Sequence, residues 1–148
     1  MKVKDCMCGE VCCVKPETKI YEVAKLMEKN HIGCVPVCNN ENCIVGVITD
    51  RDIILRGIAC DKDVKNTNAS DIMTCNVCTC NENDNVSEVE RKMANNQIRR
   101  IPVVDNNKVI GMLTLGDLAH YNNEIGKTEV CNTIEDICQC GGQAKNNC

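Results

Sequence analysis

Asp5-Cys6-Met7-Cys8 returns as Asp71-Ile72-Met73-Thr74, an offset of 66 residues. At the same offset Ile20, Val23 and Met27 fall on Val86, Val89 and Met93, and Ile32 falls on Ile98. Val35-Pro36-Val37 falls on Ile101-Pro102-Val103. One residue is then lost, and Gly46-Val47-Ile48-Thr49-Asp50-Arg51-Asp52 meets Gly111-Met112-Leu113-Thr114-Leu115-Gly116-Asp117. An internal repeat of this kind fixes the architecture before any single element is considered. The division expected is a first copy over 1–60, a polar linker over 61–68, a second copy over 69–123 and a polar, cysteine-containing tail over 124–148. A half of this size buries too little apolar surface to stand alone, so the copies are expected to pack as one unit.

Each copy reads as strand, helix, strand, strand, helix. Val11 to Val14 and Val77 to Cys80 are short β-rich runs followed by turns. Thr18 and Asp84 are the expected N-caps, and the apolar spacing at 20, 23 and 27 and at 86, 89 and 93 predicts helices. Cys34 to Cys38 and Arg100 to Val104 are the next strands, each with a proline that limits hydrogen bonding and suggests a strand end or edge. Turns at Asn39–Asn42 and Asp105–Asn107 lead into Ile44 to Ile48 and Lys108 to Leu113, apolar enough to be expected buried on both faces. Final helices start near Asp50 and Leu115, and Thr133 to Cys138 reads as a further helical turn.

The doubled pattern of Asp-x-Met, a Pro-Val strand and Gly-apolar-apolar-Thr-x-x-Asp resembles a tandem pair of CBS domains. Ile48-Thr49-Asp50-Arg51-Asp52-Ile53 is similar to a stretch of stand-alone bacterial two-CBS proteins. The resemblance covers about residues 1 to 122. It implies an α/β (α+β) fold of two β-α-β-β-α repeats related by a pseudo-twofold axis, with two clefts between the copies. It further implies an adenosine-containing ligand in those clefts (AMP, ADP or ATP, or else NAD or S-adenosylmethionine), no required cofactor, a homodimer and a protein partner of unknown identity.

The chemistry of the clefts can be argued from the residues. A carboxylate accepting two O–H bonds holds a ribose diol well, and Asp52 and Asp117 suit that role. Thr49 and Thr114 can donate a hydroxyl, and the helix start beside them offers N–H groups and partial positive charge. Thr-x-x-Asp is equally a local capping box, and the two roles are compatible. Arg99 and Arg100 precede Pro102, whereas Gly33 and Cys34 hold the equivalent places in the first copy. Arginine matches phosphate through its planar fork, and the resemblance implies that role; a solvated strand edge is the alternative. Only one cleft is therefore expected to be well equipped for phosphate. By the same resemblance Ile32, Ile98, Cys12 and Cys78 line the adenine, with ordinary core packing as the alternative.

Fifteen cysteines among 148 residues require an account. Their number is odd, the opening residues turn polar too quickly for a signal peptide, and a cytoplasmic protein with free thiols is expected rather than a disulfide framework. Cys6, Cys38 and Cys80 exchange with Ile72, Val104 and Val14 between copies, as small buried hydrophobes do. Cys75-x-x-Cys78 has half the spacing of a metal or redox site, and Cys131, Cys138, Cys140 and Cys148 lie outside the repeat. His31 and His120 are isolated, and no metal site is expected. A thiol- or metal-responsive sensor, and a purely structural interaction module, remain the alternatives to a nucleotide sensor.

No His-Glu-x-x-His, Gly-x-Ser-x-Gly or Walker motif occurs, so a non-enzymatic role is expected. A net charge of −4 and the absence of Phe and Trp argue against nucleic-acid binding. No apolar run approaches the length of a membrane span.

Overall fold

The structure is a computed structural model that describes residues 1–121 and 127–138. Two antiparallel hairpins frame it: β1 (Cys34–Cys38) with β2 (Ile44–Thr49), and β3 (Arg100–Asp105) with β4 (Lys108–Thr114). Their registers correspond, Cys34 facing Thr49 and Arg100 facing Thr114, and each ladder shifts by one residue just before its turn. Asparagines make both turns: Asn42, Asn106 and Asn107 take positive φ, and Asn39 Oδ1 accepts from the N–H groups of Glu41 and Cys43. Asparagine tolerates this left-handed region better than most residues.

The stretches expected as first strands are not strands. Val14 makes a single parallel bridge to Val37, and Cys80 makes one to Val103. The Val14 N–H donates to the Pro36 carbonyl at 3.0 Å and its carbonyl accepts from Cys38 at 2.9 Å; Cys80 repeats this with Pro102 and Val104. The next rung, at Cys12 or Cys78, would need the N–H of Pro36 or Pro102, which proline lacks. The prolines thus end the ladder.

Helices α1 (Ile20–Asn30) and α3 (Val86–Asn96) cover the hairpins. Their N-caps are Lys19 and Asn85, one residue beyond the expected Thr18 and Asp84. Asn85 Oδ1 accepts from Ser87 N–H at 3.0 Å, and Glu22 Oε2 accepts from Lys19 N–H at 3.2 Å. Thr18 and Asp84 instead close the preceding turns, accepting from Lys15 and Asn81 N–H groups. α2 (Asp50–Asp52) runs on as a π-helical turn over Ile53–Gly57 and a 3-10 turn over Ile58–Cys60, whereas α4 spans Leu115–His120. α5 (Lys127–Cys138) is twice as long as the expected Thr133–Cys138 turn and packs on α3 and α4. Burial on both faces, expected for β2 and β4, is met only over Gly111–Leu113 of β4: β2 alternates buried with half-buried positions, and β4 begins exposed. The continuous burial falls instead on the partner strands, over Val35–Cys38 of β1 and Ile101–Val104 of β3.

The two cores exchange their leading segments. Val3 and Cys6, from the start of the first copy, are buried with Val86, Met93, Ile101 and Leu113 of the second. Ala69 and Ile72, from the start of the second, are buried with Ile20, Val23, Val35 and Ile48 of the first. Backbone pairs fasten the exchange: Cys8 with Met112, both bonds 2.9 Å, and Thr74 with Val47 at 2.9 and 3.0 Å. Both recurring glycines lie under it. A Cβ on Gly46 would stand 2.5 Å from Met73 Sδ, and one on Gly111 would stand 2.7 Å from Met7 Sδ.

Candidate functional site

Because each hairpin lies against the other copy's leading segment, residues of both copies meet in a cleft of about 810 Å³. The first copy contributes Cys34, the Thr49–Asp52 turn and Val47; the second contributes Cys78 and the run Asn96–Arg100. Its size falls within the range of small-molecule sites. Of the sequence-derived candidates, Thr49, Asp52, Cys78, Ile98, Arg99 and Arg100 line this cleft. Thr114, Asp117, Cys12 and Ile32 are not among its lining residues. These four are the repeat counterparts of Thr49, Asp52, Cys78 and Ile98. The sequence had left open which Thr/Asp pair shares a cleft with Arg99 and Arg100; the fold brings the first copy's pair to the second copy's arginines.

The capping geometry is formed in both copies. Asp52 Oδ2 accepts from Thr49 N–H at 2.9 Å while Asp52 N–H donates to Thr49 Oγ1 at 3.1 Å. Asp117 Oδ2 accepts from Thr114 N–H at 2.8 Å and from its hydroxyl at 2.7 Å, and Asp117 N–H donates to Thr114 Oγ1 at 3.2 Å. Each carboxylate thereby commits one oxygen to its own helix. Asp52 Oδ1 lies 3.8 Å from Nε of Arg56, whose Nη1 donates to the Ile72 carbonyl and to Thr74 Oγ1. Arg56 therefore ties Asp52 to the exchanged segment of the other copy.

The expectation of free N–H groups at the helix start is corrected here. Asp50 N–H donates to the Gly33 carbonyl at 3.1 Å, Arg51 N–H to Asp50 Oδ1 at 2.8 Å, and Asp52 N–H to Thr49, so all three α2 amides are occupied. Positive charge in the cleft comes from side chains instead. Arg51, Arg99 and Arg100 line it together with Asp50 and Asp52. Arg99 and Arg100 are exposed. Arg100 reaches across to the first copy, where a Cβ on Gly33 would stand 3.4 Å from its Nη2 and 2.7 Å from Asp50 Oδ2. Burial pushes the Cys34 thiol beside them up to about 11, the Arg100 guanidinium opposing and Asp52 and Asp50 reinforcing. Cys34 is thus a neutral thiol in the cleft wall.

A family model for the CBS domain matches the chain twice, over residues 3–58 and 69–124. The chain belongs to the CBS-domain family. The CBS domain-containing protein YhcV of Bacillus subtilis is 39% identical over 117 residues, 79% of this chain and 82% of that protein. The crystal structure of Hypoxic Response Protein I with two coordinated zinc ions superposes with a TM-score of 0.76 at 27% identity, over 82% of this chain and 98% of that one. The structure of CBSX2 in complex with AMP superposes with a TM-score of 0.73 at 26% identity, over 85% and 98%. The CBS pair and its mixed α/β architecture are therefore shown. No helix of the described residues is long and apolar enough to cross a membrane.

Reading the CBS motifs alone overlooked several lining residues: Asp50 and Arg51 within the Thr-x-x-Asp turn, Asn76 and Val77, and Asn96 and Gln97 at the end of α3. Arg51 was visible as a cation inside the motif. Ile137 of α5 carried no signal, because the tail has no counterpart in the repeat. Cys140 and Cys148 lie outside the described residues, whereas Cys131 and Cys138 are exposed on α5. Among the described residues no three His, Cys, Asp or Glu side chains gather as a metal site.

Proposed function

We propose that this CBS pair is a non-enzymatic regulatory module that binds an adenine nucleotide of the AMP, ADP or ATP type. One observation carries the reading: a single cleft joins the Thr49–Asp52 turn of the first copy to Arg99 and Arg100 of the second. Asp52 Oδ1, outside the cap and facing Arg56 at 3.8 Å, has lone-pair capacity left to accept from a ribose hydroxyl, and the exposed arginines suit a phosphate. Ile98 and Cys78 give the base apolar contact. The AMP complex of a relative with the same fold supports this choice of ligand. A nucleotide touching both copies favours the packing of the halves that fits it best, which is how occupancy would reach a protein partner. By the family resemblance the module acts as a homodimer.

Titration calorimetry with AMP, ADP, ATP and adenosine tests the reading. Arg100→Ala is expected to weaken the phosphate-bearing ligands about tenfold or more while changing adenosine little, since a charged hydrogen bond contributes about 1.5–3 kcal/mol. Asp52→Asn, which retains a capping oxygen, is expected to weaken every ligand of this cleft, and Asp117→Asn to leave it unchanged. Equal losses for AMP and adenosine in Arg100→Ala, or no binding by the wild type at millimolar concentration, would overturn the proposal.

A further inference from the structure

Ile137 belongs to neither copy of the repeat, yet it is 3% exposed and stands in the wall of the cleft. Its helix, α5, packs along α3 and against α4, and Val130 and Ile137 join the second copy's core. The first copy is followed by no such helix. Its linker runs back to the start of α1, where the Val64 and Thr67 carbonyls accept from Tyr21 and Ile20 N–H groups. Two independent asymmetries therefore converge on one cleft: the arginines that the first copy lacks, and a wall residue from a helix that the first copy lacks.

The chemistry of a purine makes that wall matter. Neither Phe nor Trp occurs in the chain, and neither Tyr21 nor Tyr121 lines the cleft, so no aromatic ring is there to stack on a base. Contact with the base must come from aliphatic and sulfur groups such as Val77, Cys78 and Ile98, with Ile137 packed behind them. Each buried methyl group then carries a larger share of the affinity than it would beside an aromatic platform.

We infer that α5 is a working part of the ligand site: Ile137 backs the apolar wall of the cleft from the second core, and docking of α5 and binding of the nucleotide stabilise each other. The inference rests on the nucleotide reading above. The coupling is reciprocal by thermodynamic necessity: if a docked α5 tightens the ligand, the ligand holds α5 down by the same factor. α5 also carries an outer face, with Cys131, Ile134 and Cys138 exposed, so occupancy of the cleft is presented on the surface by a helix that the repeat does not supply.

Hydrogen exchange on the full chain, with and without saturating AMP, and calorimetry on two variants test the inference. AMP is expected to slow exchange across residues 127–138 severalfold. Ile137→Ala, which loosens the packing of α5 on the second core, is expected to weaken AMP about three- to tenfold, the share of the coupling lost with the docked helix. Ile134→Ala, on the same helix but facing outward, is expected to leave AMP affinity unchanged. Should Ile137→Ala fail to fold, Ile137→Val with a smaller loss and the wild-type exchange data decide instead. If AMP binds and slows exchange around Thr49–Asp52 and Ile98–Arg100 but leaves α5 exchange and the Ile137 variant's affinity untouched, the inference falls and the nucleotide reading stands. If AMP, ADP and ATP all fail to bind, both fall together.

Discussion

Cys6, Cys38 and Cys80 are 4%, 1% and 2% exposed, and their repeat counterparts Ile72, Val104 and Val14 are buried as well. At these positions sulfur fills the space that a branched aliphatic fills in the other copy. Burial pushes the Cys6 thiol up to about 11, with Asp117 and Asp5 adding to it, and pushes Cys80 up to about 12, with Asp84 adding. A thiol held neutral to such pH is neither a ready nucleophile nor a ready metal ligand near neutrality. The shifts also set a dependence of stability on pH. An ordinary thiol starts to lose its proton near 9.0, so the unfolded chain releases protons there while the folded chain keeps them until about 11 to 12. Across that window the folded state binds more protons, and stability falls as pH rises. Replacing Cys80→Val, as at Val14, is expected to change stability at pH 7 by less than about 1.5 kcal/mol. The same change should flatten part of the decline above pH 9, read by urea denaturation at a series of pH values. A decline of unchanged steepness would show that Cys80 does not contribute to it.

At the level of elements, both hairpins were legible because asparagine-rich turns separate runs of β-branched residues. The two long helices were legible because their apolar spacing repeats in both copies. The first strands were not, because Val11–Val14 and Val77–Cys80 have strand composition while the missing N–H belongs to prolines more than twenty residues away. The N-caps shifted by one residue because Thr18 and Asp84 found partners in the preceding turns. Helix ends show a further recurrence: His31 and Gln97 close α1 and α3 at φ 53° and 52°, the left-handed conformation that glycine adopts freely. A side chain there costs about 1–2 kcal/mol, part of which glycine's looser unfolded chain takes back. His31→Gly is therefore expected to raise stability by about 0.5–1 kcal/mol, or roughly 1–4 °C in Tm for a chain of this size. His31 is exposed, so little packing is lost with the ring. A lower Tm in a differential scanning measurement would contradict the account of this helix end.

At the scale of the whole molecule, the repeat showed which residues are counterparts but not which of them meet. Counterparts are related by a sequence offset, whereas neighbours are set by the exchange of Val3–Cys6 and Ala69–Ile72 between the cores. That exchange places Asp52 with Arg100 in one cleft and leaves Asp117 out of it. It also makes each core depend on the other copy's chain, so neither half can lose its leading segment and keep its packing. Gly111 tests this dependence. A methyl group there would meet Met7 Sδ at 2.7 Å and the Cys8 carbonyl at 3.0 Å, and the backbone contact cannot be relieved by a rotamer change. Gly111→Ala is expected to cost about 1–3 kcal/mol, as overpacking does elsewhere. Because Val3 and Cys6 lie just upstream in the second core, the displaced segment weakens that core, while the Thr74–Val47 pair and the Ile72 packing carry the loss to the first. Calorimetry should then show one transition moved downward as a unit. Adding Met7→Ala should recover part of the loss, giving a favourable coupling between the two positions, since one of the two collisions disappears. Two separate transitions, with the one assigned to the first copy unmoved, would mean that the halves fold independently and that the cleft between them is not built by the exchange.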